Sequence, residues 1–243
     1  MIMTRKLPII LLTAFSLVFA LAVHAMRSDN PHPHSPKQNV AMKKIFLCSS
    51  FYDVASLLPK FFSVPLKGKT IAFIPTASIH EEYTQYVEDG KTALDSLGLL
   101  IKDLEITQHD TKEIAQCLEE CDYIYVSGGN TFFLIQELRR TGADKLIVEQ
   151  VENGKPYIGE SADAMVISPN TEYAQKIDDP PSQMPDFKGL NIVKFYPVPH
   201  FGSFPFEEET QLLVREYIHL PLKPITNQQA IVVIGDSVTI WQK

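Results

Sequence analysis

Lys155-Pro156-Tyr157-Ile158-Gly159-Glu160-Ser161-Ala162-Asp163-Ala164-Met165-Val166 joins two kinds of structure across one serine. A short apolar strand, Pro156–Ile158, leads into Gly159-Glu160-Ser161-Ala162 and then directly into an apolar, helix-like run. A serine on so tight a strand-to-helix turn has its hydroxyl pushed out above the end of a sheet, as in a nucleophile elbow. Such turns usually carry glycine two residues after the serine; here that position is Asp163. Ser161 is therefore a candidate nucleophile, and the chain a candidate hydrolase.

Outward from the elbow, strand and helix patterns alternate. Lys44–Ser49, Thr70–Ile74, Ile101–Glu105 and Tyr123–Val126 are short runs rich in β-branched or aromatic residues. Helical patterns lie between and after them at Glu82–Leu97, Thr111–Glu119, Thr131–Arg140 and Asp144–Glu152. Gly98, Gly142 and Gly154 stand where such helices stop. This alternation predicts βαβ units, hence an α/β fold with a mostly parallel sheet covered on both faces. Beyond the elbow come an irregular stretch at Ser168–Lys188, strands near Leu190–Val198, a helix at Glu207–Tyr217 and a β pair at Ala230–Ile234 and Val238–Trp241. Ligands of open α/β sheets bind beyond the carboxyl ends of strands. The loop Ser127-Gly128-Gly129-Asn130-Thr131 and the elbow both leave such ends, so they are expected side by side at one rim.

The 243 residues carry 45 % apolar and 21 % charged side chains, the balance of a soluble globular domain. A net charge of −7 without a basic stripe argues against a nucleic-acid partner. Arg5 and Lys6, the apolar stretch Leu7–Val23 and the small residues of Val23-His24-Ala25 predict a signal peptide over residues 1–25, cleaved before Met26. An uncleaved anchor is the alternative, as is a start at Met42, just before the first strand. Export to the periplasm or medium follows from the first reading, with no stable membrane contact after cleavage; a cytoplasmic protein follows from the last. Residues 26–41, with Pro31, Pro33 and Pro36, read as a stiff polar linker, and residues 42–243 as one domain. Cys48, Cys117 and Cys121 are an odd set that forms no disulfide framework. Their spacing with histidine matches no zinc site, so no metal is expected.

A serine nucleophile needs a base, and the base needs an orienting acid. Of the seven histidines, His200 has the setting for the base, at a strand end in Val198-Pro199-His200-Phe201-Gly202. Asp178 and Asp179 lie between Ser161 and His200 and give the order Ser, Asp, His; either is the candidate acid, with Glu207, Glu208 and Glu209 as fallbacks. An oxyanion requires backbone N–H donors. Ala162 supplies one, and the Gly128-Gly129 turn the other. Asn130 and Glu160 complete the set of oxyanion- or substrate-binding candidates, with Asn130 and Thr131 also opening the next helix as caps.

Three motifs in order, Val126-Ser127-Gly128-Gly129-Asn130-Thr131, Gly159-Glu160-Ser161-Ala162 and Pro199-His200-Phe201, resemble peptidase family S51, typified by aspartyl dipeptidase (dipeptidase E) and related to cyanophycinase. The resemblance runs from Met42 to the C-terminus. It implies a class I glutamine amidotransferase-like three-layer sandwich and a serine peptidase acting on short peptides without metal or organic cofactor. It carries Ser161 over as nucleophile, His200 as base, Asp178 or Asp179 as acid, and Gly129 and Ala162 as oxyanion donors. A homodimer is compatible with it. The sequence departs from the family at Ser127, which replaces the first glycine of a three-glycine loop. It also lacks the arginine that holds an N-terminal aspartate, since Glu208-Glu209-Thr210-Gln211 stands there and Arg215 comes next. Strict Asp-X specificity is therefore not expected. Asp163 supports an alternative reading, an impaired homologue that keeps the pocket as a binding module. A carboxylate about 6 Å from an oxyanion repels it by roughly 3 kcal/mol at an effective dielectric of about 20. That is about a hundredfold in rate.

Overall fold

The computed structural model describes residues 41–243; the expected signal peptide and all but the last residue of the proline-rich linker lie outside the described residues. In chain order the strands are β1 (Lys44–Cys48), β2 (Thr70–Ile74), β3 (Leu100–Asp103), β4 (Tyr123–Val126), β5 (Tyr157–Glu160), β6 (Tyr196–Val198), β7 (Leu222–Pro224), β8 (Gln229–Ile234) and β9 (Ser237–Gln242). The helices are α1 (Phe51–Val54), α2 (Leu58–Phe62), α3 (Gln85–Ser96), α4 (Thr111–Glu120), α5 (Thr131–Thr141), α6 (Ala143–Glu152), α7 (Ala162–Val166) and α8 (Glu207–Glu216).

Seven strands form one sheet in the order β3-β2-β4-β5-β1-β8-β9. The first five are mutually parallel, while β8 runs antiparallel to β1, and β9 to β8. Side chains alternate along each central strand between two apolar layers. Ile45 and Leu47 of β1, Ala72 and Ile74 of β2, and Ile124 and Val126 of β4 pack with Ile114, Leu118, Leu134, Leu138 and Ile147 of α4, α5 and α6. Phe46, Phe73, Tyr125 and Ile158 point the other way, onto Phe51, Leu58, Phe61, Val87 and Leu94 of α1, α2 and α3. The result is the three-layer α/β sandwich with a mostly parallel sheet that the alternating pattern predicts. Burial on both faces is why these strands read as continuous apolar runs.

Helix starts are written locally. Asp110 accepts the Glu113 N–H at 2.9 Å while Glu113 accepts the Asp110 N–H at 3.0 Å, a reciprocal cap on α4. Gly142, at φ 78°, ends α5 in the left-handed conformation that glycine tolerates best.

One expectation needs correction. Of Leu190–Val198 only β6 is a strand, and it pairs in parallel with β7, a short strand the pattern did not reveal, in a separate two-stranded sheet. Pro197 and Pro224, both proline, lack the N–H a central strand needs, which suits them to this small ribbon. The three cysteines are buried free thiols. Antiparallel β9 brings the chain back so that the Lys243 N–H donates to Gln228 O at 3.1 Å. No helix among the described residues is long and apolar enough to cross a membrane.

Candidate active site

Strands β4 and β5 are hydrogen-bonded neighbours, so the loops leaving their carboxyl ends meet at one rim. Ser161 occupies φ 52°, ψ −111°, a strained conformation for a residue with a side chain. Its N–H is held by Cys48 O at 2.9 Å, at the end of β1. The turn therefore presents the hydroxyl rather than burying it. Ser161 Oγ lies 2.8 Å from His200 Nε2. The two residues are 39 apart in sequence, and the fold brings them together as the elbow pattern predicts.

The other ring nitrogen, His200 Nδ1, lies 2.8 Å from Asn227 Oδ1. A carboxamide oxygen only accepts, so Nδ1 carries the proton and Nε2 is left as the acceptor facing Ser161. Burial lowers the imidazole pKa, and the Asn227 bond offsets part of that. Burial thus favours a neutral imidazole, with its unprotonated Nε2 facing the Ser161 hydroxyl. The ring also packs on Phe206, with centroids 5.2 Å apart.

The expected acids are not at the imidazole. Asp178 accepts the Thr131 N–H at 2.9 Å, at the N-terminus of α5, where a carboxylate meets unpaired N–H groups and the positive end of the helix dipole. Its pKa is raised, chiefly by burial. Asp179 is exposed. Glu207, Glu208 and Glu209 are exposed in the first turn of α8, where acids suit the dipole. Asn227 holds the place expected of an acid. Sequence reasoning passed over it because an asparagine before a strand looks like any turn residue. The one signal was its position at the start of a strand that pairs with β1.

Gly128 lies against Ser161, and Gly129 against the Ala77–Ser78 backbone. A Cβ on Gly128 would stand 3.0 Å from Ser161 Cβ. Gly129, at φ 138°, leaves no room for a Cβ because the Ala77 carbonyl and the Ser78 nitrogen fill that space. Its neighbour Asn130 is anchored by an N–H to Ala77 O at 3.0 Å. The loop backbone is therefore pinned. Among the described residues neither the Gly129 nor the Ala162 N–H donates to a protein acceptor.

Two further sequence candidates have other duties. Asn130 Oδ1 accepts from the Phe132 N–H at 3.0 Å and the Phe133 N–H at 2.9 Å, so the carboxamide oxygen is committed to capping α5. Glu160 is buried beneath the elbow and accepts the Phe51 N–H at 2.7 Å and the Tyr125 hydroxyl at 2.6 Å. Burial raises its pKa; the Phe51, Tyr125 and Gly128 donors pull it part of the way back. Glu160 thus ties the elbow to α1 and β4 from below.

Asp163 also points inward. It is fully buried, and both its oxygens lie 2.5 Å from the Tyr157 hydroxyl. Its carboxyl packs over Gly159, where a Cβ would collide with it. Burial drives the Asp163 pKa well above the usual carboxylate range, against a smaller opposing pull from Tyr157. Burial thus shifts the group toward its neutral acid, the direction that weakens the repulsion expected of an ionised Asp163. Among the described residues no cluster of three or more His, Cys, Asp or Glu side chains could hold a metal.

Comparison with known proteins gives the family. The model of "Peptidase family S51" matches residues 46–241. The "Uncharacterized peptidase Lmo0363" of Listeria monocytogenes is 50 % identical over 200 residues, covering 81 % of this chain and 97 % of its own. The "Uncharacterized peptidase PM1590" of Pasteurella multocida is 46 % identical over 199 residues, covering 81 % of this chain and 96 % of its own. A "Peptidase E" of Haemophilus influenzae is 34 % identical over 142 residues, 58 % of this chain and 62 % of its own. Among solved structures, a Listeria monocytogenes EGD-e protein superposes with a TM-score of 0.79 at 49 % identity, covering 84 % of this chain and all of that one. The chain belongs to peptidase family S51.

Proposed function

We propose that this chain is a serine peptidase that cleaves short peptides through Ser161, His200 and Asn227. The observation that carries the reading is the 2.8 Å approach of Ser161 Oγ to His200 Nε2 on a strained elbow. Ser161 Oγ attacks the peptide carbonyl carbon as His200 Nε2 takes its proton. The carbonyl oxygen, now negative, is received by the Gly129 and Ala162 N–H groups. The imidazolium then passes its proton to the departing amine as the C–N bond breaks. Water, deprotonated by the same nitrogen, releases the acyl group from Ser161. Throughout, Asn227 keeps the proton of Nδ1 in place and contributes no charge.

Asp163 motivates a second reading, in which the chain binds peptides without cleaving them. Its burial favours the catalytic reading, because the carboxyl is fully buried and engaged by the Tyr157 hydroxyl. A fluorophosphonate probe is expected to label wild-type protein and to leave Ser161→Ala unlabelled. Folded wild type that stays unlabelled across pH 5–9 would refute the catalytic reading. Hydrolysis that appears only in Asp163→Gly would establish the second. A panel of dipeptides, isoaspartyl peptides and esters then assigns the substrate. Export is part of the same proposal; N-terminal sequencing of mature protein is expected to begin at Met26.

A further inference from the structure

Ser49 follows β1 directly and is buried. Its hydroxyl has partners on two other segments. Oγ accepts the His200 N–H at 2.9 Å. The same Oγ lies 3.2 Å from Ile225 O and 3.2 Å from Thr226 O, to which it donates its own proton. Thr226 is followed by Asn227, which orients the imidazole. One buried hydroxyl thus joins the backbone under the base to the backbone under the group that sets its tautomer.

The surroundings give this link weight. His200 sits at φ 59°, a left-handed conformation that a side chain keeps only where its neighbours hold it. The Ile225 N–H to Val198 O bond and the Phe201 N–H to Ile225 O bond, both 3.0 Å, lay the two segments together. Among the described residues, Ser49 alone bonds to both the His200 peptide and the carbonyl before Asn227. Its neighbour Cys48 holds the Ser161 N–H. The two residues that end β1 therefore anchor all three members of the site, although neither carries catalytic chemistry.

We infer that Ser49 is a positioning residue for the reaction read above: its hydroxyl fixes His200 against Asn227 and thereby holds Nε2 toward Ser161. Without it the His200 N–H is buried and unpaired, and the left-handed residue loses its restraint. The imidazole then turns from Asn227 Oδ1, and both tautomers become populated. This inference rests on the proposed mechanism for its rate effect, but not for its effect on the imidazole.

The test compares wild type, Ser49→Ala, Asn227→Ala and the double variant. Ser49→Cys, close in shape but a weak hydrogen-bonding group, serves if Ser49→Ala does not fold. With protein labelled by 15N-histidine, the His200 nitrogens of wild type should report one tautomer, protonated at Nδ1, and those of Ser49→Ala a mixture. Fluorophosphonate inactivation should slow by roughly ten- to a hundredfold in Ser49→Ala through its limiting rate, with the half-saturating probe concentration unchanged. In the Asn227→Ala background the same change should cost less than about threefold, because both residues act through one ring. An unaltered tautomer in the Ser49 variants overturns the inference, as does an equal loss in both backgrounds. Wild type that is not labelled defeats the catalytic reading instead, and the imidazole spectrum then decides the role of Ser49.

Discussion

Replacing Asn227 by aspartate puts a carboxylate where the structure has a carboxamide, with almost no change of shape. Asn227 Oδ1 stands 2.8 Å from His200 Nδ1, so the new charge would lie about 4 Å from the centre of an imidazolium. At that separation the attraction is about 4 kcal/mol for an effective dielectric of about 20. Desolvation of a carboxylate in this half-buried position consumes part of it, which leaves a rise of about 1–2 pKa units at roughly 1.4 kcal/mol each. In wild type, burial holds the His200 pKa below its ordinary value, so the base stays unprotonated and competent into mildly acidic solution. The measurement is the pH dependence of kcat/KM, or of the fluorophosphonate inactivation rate, whose acidic limb reports His200 in the free enzyme. Wild type should hold its rate below pH 6.5. Asn227→Asp should lose rate as pH falls, with the limb displaced upward by about 1–2 units, and should equal or exceed wild type on the alkaline plateau. An unmoved limb would refute the assignment of Asn227 as the partner of the base.

The other predictions concern residues whose duties differ from their sequence reading. Asp178→Asn should leave labelling of Ser161 within about twofold and lower stability by roughly 0.5–1 kcal/mol, through weaker interaction with the N-terminus of α5; a loss of several orders of magnitude in labelling would restore Asp178 as the triad acid. Asp163→Ala strands the Tyr157 hydroxyl in the core and should cost about 1–3 kcal/mol, read as a lower Tm. A carboxyl with a raised folded pKa binds more protons folded than unfolded, so its contribution is greatest below about pH 4 and erodes as pH climbs toward the folded pKa. Asp163→Asn should accordingly flatten the decline of Tm with rising pH, and an unchanged slope would show that Asp163 is ionised in the fold. Gly129→Ala must displace the Ala77 carbonyl or abandon φ 138°; it should abolish labelling, and retained labelling would remove Gly129 as an oxyanion donor.

The parallel core and the nucleophile were legible because their determinants are local. A strand buried on both faces announces itself as an apolar run, and a serine between such a run and a helix has few structural roles. The histidine was legible from its strand-end setting once the nucleophile was fixed. Its partner was not. Asn227 lies 27 residues beyond His200 and reaches it only because β8 runs antiparallel to β1, which places the turn before β8 at the carboxyl edge of the sheet. Strand direction is a tertiary property that the pattern of a single strand does not record. Asp178 misled for the complementary reason. A carboxylate in a loop between nucleophile and base has the right chemistry, but the α5 N-terminus offered it a nearer donor. Asp163 was read as a carboxylate close to the oxyanion; the space above Gly159, free of any side chain, holds its carboxyl inside the protein instead.

The hairpin of β8 and β9 also determines how the protein should be handled. Because β9 retraces β8, Lys243 finishes beside Gln228, one residue from the asparagine that contacts the imidazole. An affinity handle or fluorescent fusion appended after Lys243 would emerge beside the turn that carries Asn227. Lys44 begins β1 at the opposite edge, so a tether joined just ahead of Met42 would keep immobilised protein open to solvent where substrate must arrive.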